Sequence, residues 1–163
     1  CVGCYPAVEE GIQPQCVVNC IGKIRVMGFV RPPDSARDDN PVDYLIHKMG
    51  LALPYYPQLG LEPNIYYIPP IHANREYLLQ MFGPKVDAAI EAYKKLPENP
   101  VAQGLLCLIG STDRIMHRFK VDKGMASGFD DKGTELVRVP VVEPVIERAA
   151  YDDKIGAVRN NTP

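Results

Sequence analysis

Four of the five cysteines in this 163-residue chain fall within its first twenty positions, spaced C-x2-C-x11-C-x3-C as Cys1, Cys4, Cys16 and Cys20. Thiols that dense are cross-linked to each other, gathered on a shared centre, or left as free side chains, and each outcome demands a different backbone. The fifth, Cys107, sits between Leu106 and Leu108 with no acidic or histidine neighbour, and is expected to be an inert buried thiol.

Three chemistries compete for the group of four. A disulfide framework serves oxidised domains too small to build a core. A chain of 163 residues can bury roughly two-thirds of its unfolded surface, and its cysteine count is odd. Structural zinc uses a C-x2-C knuckle with a second cysteine pair, but that pair is usually also C-x2-C, whereas here it is C-x3-C. An iron–sulfur cluster takes soft thiolates at C-x2-C spacing, with further ligands from elsewhere in the fold. In two-cluster ferredoxins the last cysteine of a run often ligates the other cluster. On that rule Cys1, Cys4 and Cys16 serve one [4Fe–4S] cluster and Cys20 its neighbour. One cluster then lacks one ligand and the other three. A chain that opens on Cys1 and closes on Asn160-Asn161-Thr162-Pro163 is accordingly expected to be an internal piece of a longer one.

The remaining composition narrows the partners. A net charge of −2, with no basic run longer than two residues, argues against nucleic acid, which needs a clustered basic face. The longest apolar stretches, such as 105–109, fall far short of the roughly 20 residues of a membrane span. Attachment to a membrane would therefore run through a partner. No Gly-rich phosphate loop and no nucleophile–base pair stands out, which disfavours an autonomous enzyme. His47, His72 and His117 lie tens of residues apart and share no metal spacing. His72 is expected to pack or cap, with haem ligation as its alternative.

Local patterns suggest an α+β chain. Gly22–Val30 alternates apolar and basic residues for part of its length, as a half-buried strand does, with Ile24, Val26 and Phe29 inward. Lys23 and Arg25 are then either tuning charges near Cys20 or a solvated strand face. Pro32-Pro33 ends that segment, and 34–40 is a polar loop. The Pro- and Tyr-rich 51–70 cannot be a long helix and wraps a domain or partner, its Tyr55, Tyr56, Tyr66 and Tyr67 packing rather than relaying electrons. Helices are expected at 75–82, stopped by Gly83, and at 85–95, with a further apolar stretch at 101–109. Ser111 or Thr112 suits the cap of a helix over 113–119. Residues 128–139 read as a hairpin turning at 130–133, and 144–151 as a final helix opened by Pro144.

The stretch CVGCYPAVEEGIQPQCVVNCIGKIRVMG, Cys1 to Gly28, resembles the last cysteine group of beta subunits in the nitrite oxidoreductase and respiratory nitrate reductase family. The resemblance continues through Leu51–Pro57, Tyr67–Pro70 and Gly110–Phe119. It implies an electron-transfer subunit of a nitrite-oxidising complex, with a molybdenum-bearing alpha subunit and a haem-bearing gamma subunit as partners. Beta subunits of nitrate, perchlorate, selenate and hydrocarbon-oxidising enzymes are similar. By the same resemblance Cys1, Cys4 and Cys16 belong to one [4Fe–4S] cluster and Cys20 to the next, with further clusters, including a [3Fe–4S], outside this chain. Residues 1–33 would be an incomplete ferredoxin-like segment. Residues 41–163 would be a proline-rich, mainly helical C-terminal region with a β-hairpin.

Overall fold

In the computed structural model, which describes residues 1–142 and the backbone of 149–152 and 157–160, three of the six α-helices start on an asparagine cap. After two short helices near the cysteines, α1 (Tyr5–Glu9) and α2 (Gln15–Val18), comes α3 (Pro41–Asp43), continued by a π turn over Tyr44–Lys48. Asn40 caps α3, its Oδ1 accepting the Val42 and Asp43 N–H groups at 2.9 and 3.3 Å, while Pro41 fills the first position where no N–H is needed. A two-residue pairing of β1 (Leu53–Pro54) with β2 (Tyr66–Tyr67) precedes α4 (Arg75–Phe82), which Asn74 caps in the same way. Then come α5 (Val86–Lys94) and α6 (Pro100–Leu108), which repeats the Asn-Pro start with Asn99 accepting the Ala102 N–H at 3.0 Å.

An antiparallel sheet of β3 (Arg118–Asp122), β4 (Met125–Phe129) and β5 (Glu135–Pro140) follows. A second antiparallel pair joins β6 (Ala149–Asp152) to β7 (Ala157–Asn160). Helix α6 packs on the three-stranded sheet. Its Ala102, Leu105 and Leu108 are wholly buried in a cluster with Leu45, Leu51, Met116, Phe119 and Ala126. A smaller cluster of Leu53, Leu78, Phe82, Val86 and Ala89 gathers around α4 and α5. Burial of the Leu, Val, Met and Phe side chains, worth about 1.5–3 kcal/mol each, is the main force holding this body together.

The expected helices at 75–82 and 85–95 are present, as is a helix over most of 101–109, and the hairpin at 130–133 joins β4 to β5. Several expectations are corrected. Residues 22–30 form no strand: Val26 packs against the main core, but Ile24 is 79% exposed and Phe29 47%. Residues 113–119 form no helix but an extended run leading into β3, which is the sheet's additional strand. Of the helix expected over 144–151, residues 144–148 lie outside the described residues and 149–151 belong to strand β6. Tyr55 stacks on Phe82 at 5.0 Å and lies 4.0 Å from Tyr67, so these aromatics pack, closing the Pro-rich segment onto α4.

Candidate thiolate site

Local turns set the backbone around the cysteines. Gly3 and Cys4 are both left-handed, with φ of 67° and 54°, and this reversal launches α1 with Pro6 in its first turn. A left-handed non-glycine costs about 1–2 kcal/mol and persists only where surroundings hold it. The Gly3 N–H reaches Cys1 Sγ at 3.4 Å. Cys16 lies within α2, and Cys20 follows its end, donating its N–H to Val17 O at 3.1 Å. Arg25 Nη1 donates to Cys16 O at 3.2 Å, and Lys23 Nζ to Val18 O at 2.8 Å. The two cations thus fold back on the end of α2, where the helix dipole favours positive charge.

All five cysteines are free thiols. Cys1 and Cys16 are exposed, while Cys4 and Cys20 are half-buried. The backbone of Ile24 holds the Cys20 thiol below its usual range, outweighing desolvation, with smaller help from the Gly22 backbone, the Arg25 guanidinium and the Lys23 backbone. Among the described residues, however, no three His, Cys, Asp or Glu side chains converge closely enough to hold a metal ion. The four predicted ligands are thus presented on one segment without forming a closed cage. Free, accessible thiols, one of them biased toward thiolate, are a donor set that fits a soft-metal or iron–sulfur centre completed by other residues.

Cys107 corrects its sequence-based expectation: it is half-buried, its Sγ 3.6 Å from Val142 O. The histidines have separate roles. His47 Nε2 lies 2.9 Å from Arg31 O, His117 stacks against Phe29 at 5.0 Å, and His72 is exposed.

What fastens the cysteine segment to the body was not anticipated. The segment 112–115 pairs with the loop between Cys4 and Cys16: Gln13 N–H donates to Asp113 O at 2.8 Å and Ile115 N–H to Gly11 O at 2.8 Å. Arg114 Nη1 adds a bond to Glu10 O at 2.8 Å. Gly110, at φ 74°, lies against the backbone of Lys23, so close that any Cβ would collide with it. Farther on, the wholly buried Asp43 accepts the N–H groups of Arg31 and Arg37 at 2.7 and 3.1 Å, pinning the connector. Among the described residues, no helix is long and apolar enough to cross a membrane.

Fold and site together define a class: a thiol-bearing segment, hydrogen-bonded along one side of a helix-and-sheet body. No family model matches the chain. It is 33% identical over 137 residues to perchlorate reductase subunit beta of Dechloromonas aromatica (strain RCB), covering 80% of this chain and 36% of that protein. It is 42% identical over 74 residues to chlorate reductase subunit beta of Ideonella dechloratans, covering 44% of this chain and 20% of that protein. Respiratory nitrate reductase subunit beta of Haloferax mediterranei is 29% identical over 116 residues, or 58% of this chain and 32% of that protein. The chain belongs to the beta-subunit family of these oxidoreductases. It spans about a third of the length of the perchlorate and nitrate relatives and a fifth of the chlorate one.

Proposed function

We propose that this chain is part of an electron-transfer subunit, in which Cys1, Cys4 and Cys16 ligate one [4Fe–4S] cluster and Cys20 contributes to its neighbour. The observation that carries this reading is the presentation of four free thiols on one segment, in a chain whose relatives are beta subunits of redox enzymes. Residues 1–33 are then the cluster-binding portion of a ferredoxin-like domain, with the missing ligands supplied from outside these four. When bound, clusters supply one-electron storage. The chain's own residues position and tune: backbone amides and Arg25 near Cys20 favour the thiolate that a cluster requires, and Lys23 and Arg25 offset its negative charge.

Electrons would pass between a molybdenum-bearing alpha subunit and a haem-bearing gamma subunit, with nitrite oxidation to nitrate as the overall reaction. Attachment to a membrane would come through those partners. The substrate assignment rests on the resemblance of the chain as a whole to nitrite-oxidising beta subunits and is tested separately, by assaying the purified complex for nitrite oxidation against nitrate, perchlorate and selenate reduction.

The cluster reading is tested on full-length protein assembled without oxygen. Cys16→Ser should abolish one cluster's low-temperature paramagnetic resonance signal and lower the iron content, while Cys107→Ser should change neither. A colourless wild-type protein carrying stoichiometric zinc would overturn the assignment.

A further inference from the structure

Gln13 is one of only two buried residues among the first thirty-nine, and its carboxamide is fully engaged. Its Nε2 donates to Thr112 O at 2.9 Å and to Arg114 O at 3.2 Å, and its Oε1 accepts the Met27 N–H at 2.9 Å. Its own backbone N–H goes to Asp113 O. One side chain therefore ties together three stretches of chain: the loop before Cys16, the run after Cys20, and the body segment 112–114. A primary amide suits the task, since it alone offers two donors and an acceptor in one plane without charge. The neighbouring bonds from Ile115 to Gly11 and from Arg114 to Glu10 extend the same seam on the Cys4 side.

Apart from Pro14, no apolar residue among 1–39 is buried, so core packing does little to hold Cys16 and Cys20 in register. We propose that Gln13 is a positioning residue that sets where Cys16 and Cys20 stand relative to each other by clamping the chain on both sides of them to the 112–114 segment. Cluster retention then depends on a side chain that touches no sulfur, a dependence that rests on the cluster reading above. Outer residues that orient ligands commonly change metal affinity by about 10–100-fold when removed.

The test uses the full-length protein in its complex, assembled anaerobically. Gln13→Met keeps the volume and removes all three side-chain hydrogen bonds; Gln13→Glu keeps only the acceptor for Met27. Asn99→Ala is the control, removing the cap of α6 with no contact to the cysteine segment. Gln13→Met should release iron to a chelator on the order of tenfold faster than wild type, with an altered resonance line shape, and Gln13→Glu should fall between. Asn99→Ala should lower the unfolding temperature and leave both signals untouched. Wild-type iron retention and line shape in Gln13→Met, or an equal change in Asn99→Ala, would overturn the proposal. If Gln13→Met does not fold, Gln13→Glu carries the same comparison. Should the wild-type protein hold no iron, the cluster reading fails by itself. The clamp is then judged by hydrogen exchange at the Met27 amide, which should speed up about tenfold or more in Gln13→Met and which, if unchanged, rejects it.

Discussion

The cysteine segment and the body that carries it are stabilised by different forces. From Asn40 to Val142 the chain buries sixteen hydrophobic residues, most of them gathered in two clusters. Before Asn40 Pro14 is the one buried apolar residue, and Val2, Tyr5, Ile21, Ile24 and Phe29 are exposed. The body folds because apolar surface leaves water; the segment is placed because backbone and carboxamide hydrogen bonds tie it on. Each such bond contributes only about 0.5–1.5 kcal/mol net, but leaving its partner buried and unsatisfied costs about 1–3 kcal/mol. The segment's conformation is therefore specific without being strongly stabilised, which suits the proposed role, since a bound inorganic centre would add stabilisation of its own.

That asymmetry can be broken. The largest effect should come from the core: Leu105→Ala, at a wholly buried site under the sheet, should cost about 2–5 kcal/mol in denaturant unfolding. Because the body is the platform, protection of the Met27 amide should fall with it. If Met27 stayed protected while the body melted, the segment would have stability of its own and the dependence described above would be wrong. Gly110→Ala reverses the direction. A Cβ there meets the Lys23 backbone and the glycine is left-handed, so we expect a loss of about 1–3 kcal/mol from the local contact. Hydrogen exchange should rise around Lys23 while the amides of α6 keep their protection. Fast exchange throughout α6 would show that the seam supports the body as much as the reverse.

The smallest effect concerns the connector. The Arg37 guanidinium, hydrogen-bonded to both carboxylate oxygens of Asp39, holds that carboxyl below its ordinary range. A depressed carboxylate adds stability above its unfolded pKa of about 4, and loses it as pH falls through the folded value. Both side chains are well exposed, so the contribution is only about 0.2–1 kcal/mol. The stability difference between wild type and Arg37→Gln should be present at neutral pH and vanish in acid. A difference that persisted in acid would mean Arg37 acts by packing instead of charge.

Much of the body was legible because its signals are local. Gly83 stops α4, the 3.6-residue apolar spacing marks α5, and the 130–133 turn marks the β4–β5 hairpin. The cysteine spacing likewise singled out the thiols, though not how they are held. The misreadings arose where a distant partner overrode local pattern. Alternation at 22–26 looked like a strand, yet Lys23 and Arg25 are placed by the carbonyls of Val18 and Cys16. Thr112 does behave as a local cap, its Oγ1 accepting the Arg114 N–H at 3.1 Å, but Gln13 captures the carbonyls that a helix would have needed. The β3–β4 hairpin was missed because its two-residue turn is Lys123-Gly124, with φ of 49° and 73°, rather than the more recognisable Asn-Gly. Gln13 itself had no signal beyond being a polar residue before a proline.

The seam between Gln13 and Thr112 also fixes an order of events in the cell. Its partners are 99 positions apart, so a ribosome adding about 5–20 residues per second needs on the order of 5–20 seconds to make the second after the first. For nearly all of that interval the four thiols are already made and unclamped. On the proposed cluster reading, loading would therefore wait for the later segment or rely on something that shelters the nascent cysteines from oxidation.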